Sequence, residues 1–299
     1  MSNYRPISLL MTTSKIIEKI VNKQILEYFN SNNLFSKYQF GFRNRHSTQD
    51  AKNLLLESIY NHINSKSNVI VLYIDLKKAY DTIDINLLLK KLKYYGFNSQ
   101  SLKWFESYLT ERKQSVWISE YLSPPLIISV GIPQGSILGP SLFNIFINDF
   151  EFCHNALSIQ YADDTSLVIH DKNFEILEQA ANENLSANAL WLASNKLALN
   201  VQKTVYMLIT NKKAPVLNIN INGTKIERVK EFKSLGLILD EKLNFNPHCN
   251  YVSKRLATAN YILYKNKKFL NFKSKMLIYN SLALPHLSYN NAIWGSAPD

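Results

Sequence analysis

A chain of 299 residues with 46% hydrophobic residues has a globular composition, which excludes an intrinsically disordered protein, and it is long enough to bury a full core across two or three subdomains. A net charge of +11 suits a polyanionic partner, nucleic acid first, although ribosome-bound and membrane-surface proteins share that signature. Cys153 and Cys249 stand far apart without zinc-finger spacing, Met1–Pro6 lacks an apolar leader, and no run approaches the ~20 apolar residues that span a bilayer, so a reduced compartment is the simpler reading and no membrane-spanning helix is expected.

In chain order, an extended piece around Arg5-Pro6 leads to a helix that Ser14 would cap. Ile16, Ile17, Ile20, Val21, Ile25 and Leu26 form its expected apolar stripe, and Lys15, Glu18, Lys19 and Lys23 its outer face. Residues 36–47 read as a loop in which basic residues alternate with Tyr38, Phe40 and Phe42. Such aromatics either stack on bases or plug the core. A second helix is expected from Ser47 to about Ser65. Val69–Ile74 has the β-branched content of a buried strand and ends in Asp75, a carboxylate better suited to a cleft than to a core. Helices follow at 85–95, with Asp84 as N-cap and Gly96 as stop, and around 102–109. Residues 114–131 suggest a hairpin turning at Pro124-Pro125. Gly131 to Pro140 holds three glycines and two prolines, a stiff, bare loop that a base or sugar can approach closely; a plain rigid connector is the alternative. A core helix containing Leu142, Phe143, Ile145, Phe146, Ile147 and Phe150 comes next.

Ser158 to His170 places Tyr161-Ala162-Asp163-Asp164 between β-favouring residues, which predicts a hairpin with two carboxylates at its tip. Adjacent carboxylates repel unless a cation lies between them, so the stretch is a candidate divalent-metal site; ordinary aspartate turn chemistry is the alternative. An amphipathic helix over 174–191, a strand over 205–210 and short strands over 216–239, with Asn222-Gly223 as a hairpin turn, complete this part. From Lys242 onward the chain is helical and basic, with eight lysines and arginines against Asp299 alone. That run is either a solvated face or a strip that follows a phosphate backbone. If the 69–74 strand and the 158–170 hairpin are neighbours, Asp75, Asp163 and Asp164 meet at one sheet edge, as two-metal phosphoryl transfer requires.

At this point the chain resembles the reverse transcriptases of non-LTR (LINE-type, jockey-like) retrotransposons. The resemblance rests on Asn3–Leu10, on Gln39–Arg43 with His46-Ser47-Thr48, and on Asp75–Asp81. It continues through Gly131–Phe143, Tyr161–Asp164, Asn195–Thr204, Phe232–Gly236 and Leu284–Gly295 in the family's order. It implies an α+β, right-hand polymerase with an antiparallel palm sheet: fingers at 1–66, palm with the catalytic motifs at 67–240, and a basic helical thumb at 241–299. Because the first motif follows Met1 directly, the fingers are expected to be incomplete, and the thumb to be cut short at Asp299.

The resemblance implies an RNA-directed DNA polymerase that adds dNTPs to a primer 3′ end. Its partners would be an RNA template, a DNA primer and dNTPs, its cofactors two Mg²⁺ ions or Mn²⁺ in their place, and its location the nucleus or cytoplasm. Asp75 and Asp163 would be the main metal ligands, with Asp164 in support and the Leu76 carbonyl as an added ligand. Tyr80 would exclude a 2′-hydroxyl, Gln134 and Gly135 would lie along the nucleotide, and Arg5 would bind triphosphate oxygens. Lys203 would either protonate pyrophosphate or anchor a strand. Arg43, Leu235, Gly236, Lys254 and Arg255 would contact nucleic acid. The alternative from another class is a catalytically inactive RNA-binding remnant of the same fold.

Overall fold

The computed structural model describes residues 7–295. Helix α1 (Thr12–Ser31) and helix α2 (Thr48–Asn64) precede strand β1 (Asn68–Ile74). Ser47 caps α2 through a reciprocal box with Asp50, each closing a free backbone amide of the first turn. Helix α3 (Ile85–Tyr94) starts at Asp84, which accepts from the Leu87 amide, and helix α4 (Ser99–Leu109) starts at Asn98. A small double hairpin follows. Strand β2 (Arg112–Gln114) is paired later with β5 (Leu126–Ile128), and between them β3 (Trp117–Ile118) pairs with β4 (Tyr121–Leu122). The turn is at Ser119-Glu120, where Ser119 has φ 54°, and not at Pro124-Pro125, which lie on the return arm.

Helix α5 (Gly139–Ile147) is almost wholly buried. Strands β6 (Leu157–Tyr161) and β7 (Asp164–Asp171) form the expected hairpin, and helix α6 (Phe174–Ser194) runs one turn further than its sequence pattern suggests. Strand β8 (Val205–Ile209), strands β9 (Asn220–Ile221) and β10 (Thr224–Lys225) around Asn222-Gly223, and strand β11 (Glu227–Arg228) come next. A hairpin of β12 (Glu231–Ser234) and β13 (Leu237–Asp240) leads into helix α7 (Asn246–Lys265) and short helices beyond.

Five strands make the central sheet in the order β11-β8-β1-β7-β6, antiparallel except where β11 joins β8. Every residue of β1 is buried, so alternate side chains feed two different cores. Val69, Val71 and Tyr73 pack with α2 and with Phe232, Leu237 and Leu239 of the last hairpin, whereas Ile70, Leu72 and Ile74 pack with Leu177, Ala181 and Leu185 of α6. A third core joins α1, α3, α4 and α5 beside the sheet. Among the described residues no helix is long and apolar enough to cross a membrane.

Helix α1 departs from its expected face. Glu18 is 1% exposed, while Ile16, Ile17 and Ile20 are each more than half exposed. The carboxylate turns inward because it accepts from the Ile137 amide (2.7 Å) and the Ser136 hydroxyl (3.0 Å) of the glycine-rich loop. Truncating the sheet centre by Leu72→Ala, at a side chain with 0% exposure, is expected to lower unfolding stability by about 2–5 kcal/mol. Tyr94→Ala, at 88% exposure, should change it by less than about 0.5 kcal/mol. Denaturant titration of the two variants checks both values.

Candidate active site

The register of β1 against β7 builds the site. Ile74 faces Thr165, so the next residues outward, Asp75 and Asp164, leave the sheet edge side by side and on one face. Both line a cavity of about 270 Å³, with Tyr73, Lys203, Phe232, Lys233 and Ser234 also in its wall. Tyr161 pairs with Asp164 across the hairpin, leaving Ala162 and Asp163 as the turn. Asp163 is half-buried at this apex and Asp164 is exposed.

Asp75 is held by a segment of the chain much later in sequence. Asn200 donates from its side chain to Asp75 Oδ2 (2.8 Å) and from its amide to the Asp75 carbonyl (2.8 Å). The Lys77 amide donates to the Ala198 carbonyl, so Leu76 lies opposite Leu199 in a bridge whose two bonds leave the Leu76 carbonyl unused. Lys203 is exposed three residues after Asn200 and reaches the same cavity as the carboxylates.

The Ala162 turn is clamped from the other side. Ala162 has φ 56°, and its amide donates to the Gln39 side-chain oxygen (3.0 Å), which also accepts from the Gly41 amide (2.8 Å). Phe40 and Tyr38 bond the Gln160 backbone, and Asn144 of α5 donates to the Gly41 carbonyl (2.7 Å). The loop backbone lies so close to the turn that a Cβ on Gly41 would fall 2.2 Å from the Ala162 nitrogen. Within this loop Phe40 is core and Phe42 is exposed, so the two readings of its aromatics divide between them. Arg43, expected on nucleic acid, instead donates to the Ser36 (2.5 Å) and Gln39 (3.1 Å) carbonyls over the Phe35 ring, and burial lowers its pKa.

Tyr80 sits in a short 3₁₀ turn and stacks on Phe143 (4.4 Å between centroids, 17°). Its carbonyl accepts from the Ile132 amide, which ties the 75–81 segment to the glycine-rich loop. Gln134 donates to Asp81 Oδ1 (2.7 Å), and Gly135 has φ 106°. Leu235 and Gly236 form the β12–β13 turn, both at positive φ. The hairpin is fastened to the sheet by Phe232 stacked on Tyr73 (4.1 Å). Lys233 and Arg255 both lie over the Tyr251 ring of α7, at 4.4 and 5.3 Å, and Lys254 is exposed on the same helix. Arg5 lies outside the described residues.

Two charged side chains, Lys52 and Glu18, support the site from the interior. Lys52 is 2% exposed, donates to the Ser234 hydroxyl (2.7 Å) and faces Asp164. Burial pushes its ammonium down to about 7, and the Asp164 charge opposes that shift. Lys52 shares a helical stripe with Leu55, Leu56 and Ile59, and Glu18 one with Ile25 and Phe29, so in both cases the spacing pointed inward.

Among the described residues no group of three His, Cys, Asp or Glu side chains is arranged to hold a metal. Two carboxylates on one open cavity do suit Mg²⁺, which takes one or two carboxylates and completes its shell with waters and substrate phosphates.

Residues 1–239 match the family described as reverse transcriptase (RNA-dependent DNA polymerase). The chain belongs to the reverse transcriptase family. It is 29% identical over 316 residues to the Drosophila melanogaster protein named "Probable RNA-directed DNA polymerase from transposon BS", covering 99% of this chain and 34% of that protein. It is 28% identical over 307 residues to the RNA-directed DNA polymerase from mobile element jockey of Drosophila melanogaster, covering 99% of this chain and 33% of that protein. The chain thus spans about a third of the length of these curated relatives. Among solved structures, the apo telomerase of Candida Tropicalis truncated from its C-terminal domain has a TM-score of 0.52 at 15% identity, over 76% of this chain and 44% of that one. The telomerase of Candida Tropicalis in complex with a TWJ fragment of telomeric RNA has a TM-score of 0.50 at 16% identity, over 94% and 47%. These likenesses show the right-hand polymerase fold that the sequence led one to expect.

The contact between Gly41 and Ala162 is backbone on backbone and has no flexible end to give way. Gly41→Ala is expected to cost about 1–3 kcal/mol or more by overpacking. Hydrogen exchange at the Ala162 amide should quicken in the same variant, since the Gln39 bond would be pulled apart.

Proposed function

We propose that this chain is an RNA-directed DNA polymerase, extending a DNA primer on an RNA template with dNTPs. The observation that carries this reading is the β1–β7 register, which sets Asp75 beside Asp164 on a cavity that also meets Lys203 and the β12–β13 hairpin. In this reading residues 1–66 are fingers, 67–240 palm and 241–299 thumb.

Asp75 and Asp163 would hold two Mg²⁺ ions, with Mn²⁺ as substitute, Asp164 in support and the Leu76 carbonyl as a further donor. When bound, the ions would lower the cost of the charge that builds on the attacking and leaving oxygens. The primer 3′-oxygen attacks the α-phosphorus, a new P–O bond forms, and pyrophosphate leaves. Asn200 fixes the Asp75 carboxylate, and the Gln39 clamp fixes the turn that carries Asp163, so neither has to be ordered when substrate binds. Lys203, on the cavity wall, would give a proton to the departing pyrophosphate. Arg5 would pair with triphosphate oxygens, a role suited to a guanidinium. Gln134 and Gly135 would run along the incoming nucleotide. Leu235 and Gly236, with Lys254 and Arg255 of α7, would hold the primer and template strands; Arg43 would steady the loop beside them.

Tyr80 would reject ribonucleotides, because a ring backed by Phe143 cannot yield to a 2′-hydroxyl. Tyr80→Ala should raise ribonucleotide incorporation relative to deoxyribonucleotide by at least about tenfold, as removal of a steric barrier in a packed pocket does. Competitive incorporation on one template checks this.

Primer extension by the purified chain, with an RNA template, annealed DNA primer, dNTPs and Mg²⁺, tests the proposal directly. Asp163→Asn should reduce extension by about a thousandfold or more, the scale of losing several kcal/mol of charge stabilisation. RNA binding in a gel-shift assay should stay close to that of the parent. Extension by Asp163→Asn equal to the parent's would overturn the site.

A further inference from the structure

A lysine buried to 2% exposure is costly unless something nearby answers its charge. Lys52 sits on the inner face of α2, beneath the sheet edge that carries the acidic pair. Its ammonium donates to Ser234 Oγ at 2.7 Å, the last residue of β12 before the Leu235-Gly236 turn. It faces a small cavity whose other walls include Tyr161, Asp164, Ser166 and Leu235. Three segments far apart in sequence therefore meet around one small cavity: helix α2, the start of β7, and the β12–β13 hairpin.

We propose that Lys52 is a positioning residue, whose buried ammonium holds Asp164 from behind and fixes the β12–β13 hairpin to it through Ser234. Asp164 then answers an internal cation, and the roles of the two hairpin aspartates separate. Asp163 is left free at the apex of the turn, while Asp164, beside Asp75 on the cavity, also sets the distance between the catalytic turn and the primer-holding hairpin. Lys52 touches neither substrate nor reacting atoms in this arrangement. The catalytic part of the inference rests on the polymerase reading above; the electrostatic link between Lys52 and Asp164 does not.

The link is tested by thermal melts of the full chain at about pH 6, below the lowered range of the Lys52 ammonium, in metal-free buffer with EDTA, for the parent, Lys52→Met, Asp164→Asn, the double variant and Asp163→Asn. Asp164→Asn strands a buried ammonium and should lower Tm by about 3–6 °C. Adding Lys52→Met should recover at least half of that loss, because removing both members of a buried pair costs far less than removing one. Lys52→Met should recover nothing in the Asp163→Asn background. Additive Tm changes in the Asp164→Asn background, or equal recovery with Asp163→Asn, would overturn the proposal. If Lys52→Met does not fold, Lys52→Gln carries the same cycle with Asp164→Asn, and additivity there is equally fatal.

Primer extension supplies the second readout. Lys52→Met should raise the KM for primer–template by about tenfold, the loss of one charge-assisted hydrogen bond, with a smaller change in kcat. A KM equal to the parent's would remove the hairpin half of the proposal. If the parent itself does not extend primers, the polymerase reading fails, and the melts still decide whether Lys52 and Asp164 are coupled.

Discussion

The antiparallel register of β1 on β7 is the constraint on which the site depends. A strand buried on both faces offers no polar side to mark which way it should point, and a slip of one residue would turn Asp75 into the α6 core. Register is fixed instead at the far end. Asn68, buried to 1% exposure, donates to the Asp171 and Lys172 carbonyls at the end of β7, and accepts from Thr210 Oγ1 at the end of β8. One amide thus pins β1 to both neighbours, and the acidic end is set by a polar contact seven residues away. Displacing it would leave several buried polar groups without partners, a cost that a slipped register cannot recover.

With the register set, the two carboxylates are brought together against their own repulsion, and the surroundings oppose that repulsion without filling the cavity. Lys203 stands on one wall, Lys233 on another, and Lys52 behind the pair. Charges placed at the rim and at the back leave the centre open, as a site for a hydrated cation and substrate phosphates needs. The turn itself is in the left-handed region at Ala162, a conformation of modest cost for a non-glycine residue, and the Gln39 side chain offsets it by satisfying the amide exposed there.

The sequence made the elements legible wherever one local signal dominated: β1 and the hairpin from β-branched runs, α3 from its Asp84 cap, and the Asn222-Gly223 turn from its dipeptide. Asp75 was legible as a strand-end carboxylate, because a charge that ends a buried strand has few places to go, and Asp164 as one of two carboxylates at a hairpin tip. What stayed hidden was polar and long-range. Asn200 reaches Asp75 across 125 residues of sequence, and Gln39 reaches Ala162 across 123. Neither contact leaves a local pattern, since a single hydrogen bond needs no repeat. Glu18 was placed on the wrong face, and Lys52 passed without notice, for another reason. Charged residues on amphipathic helices usually face water, and that habit outweighed a spacing that set them in line with Ile25 and Phe29, and with Leu55, Leu56 and Ile59.

The β12–β13 turn is where these threads meet. Tyr289, from the last part of the described chain, donates to the Leu235 carbonyl (2.5 Å), its hydroxyl also bonds Thr48 Oγ1 at the start of α2 (3.0 Å), and Trp294 donates to the Tyr289 carbonyl. Gly236 has φ 81°, and a Cβ there would come within 2.9 Å of the Tyr289 ring, so glycine answers both the backbone angle and the ring. Tyr289 holds the turn from the outside and Lys52 holds Ser234 from the inside, both of them through α2. A hairpin fixed at both sides by the same helix cannot shift without moving that helix. Helix α2 in turn packs on β1, β6 and β7, the strands that carry the acidic pair. The distance between the turn at Leu235-Gly236 and the carboxylates is therefore a property of one packed unit, maintained by buried hydrogen bonds and core contacts, and not of the hairpin alone.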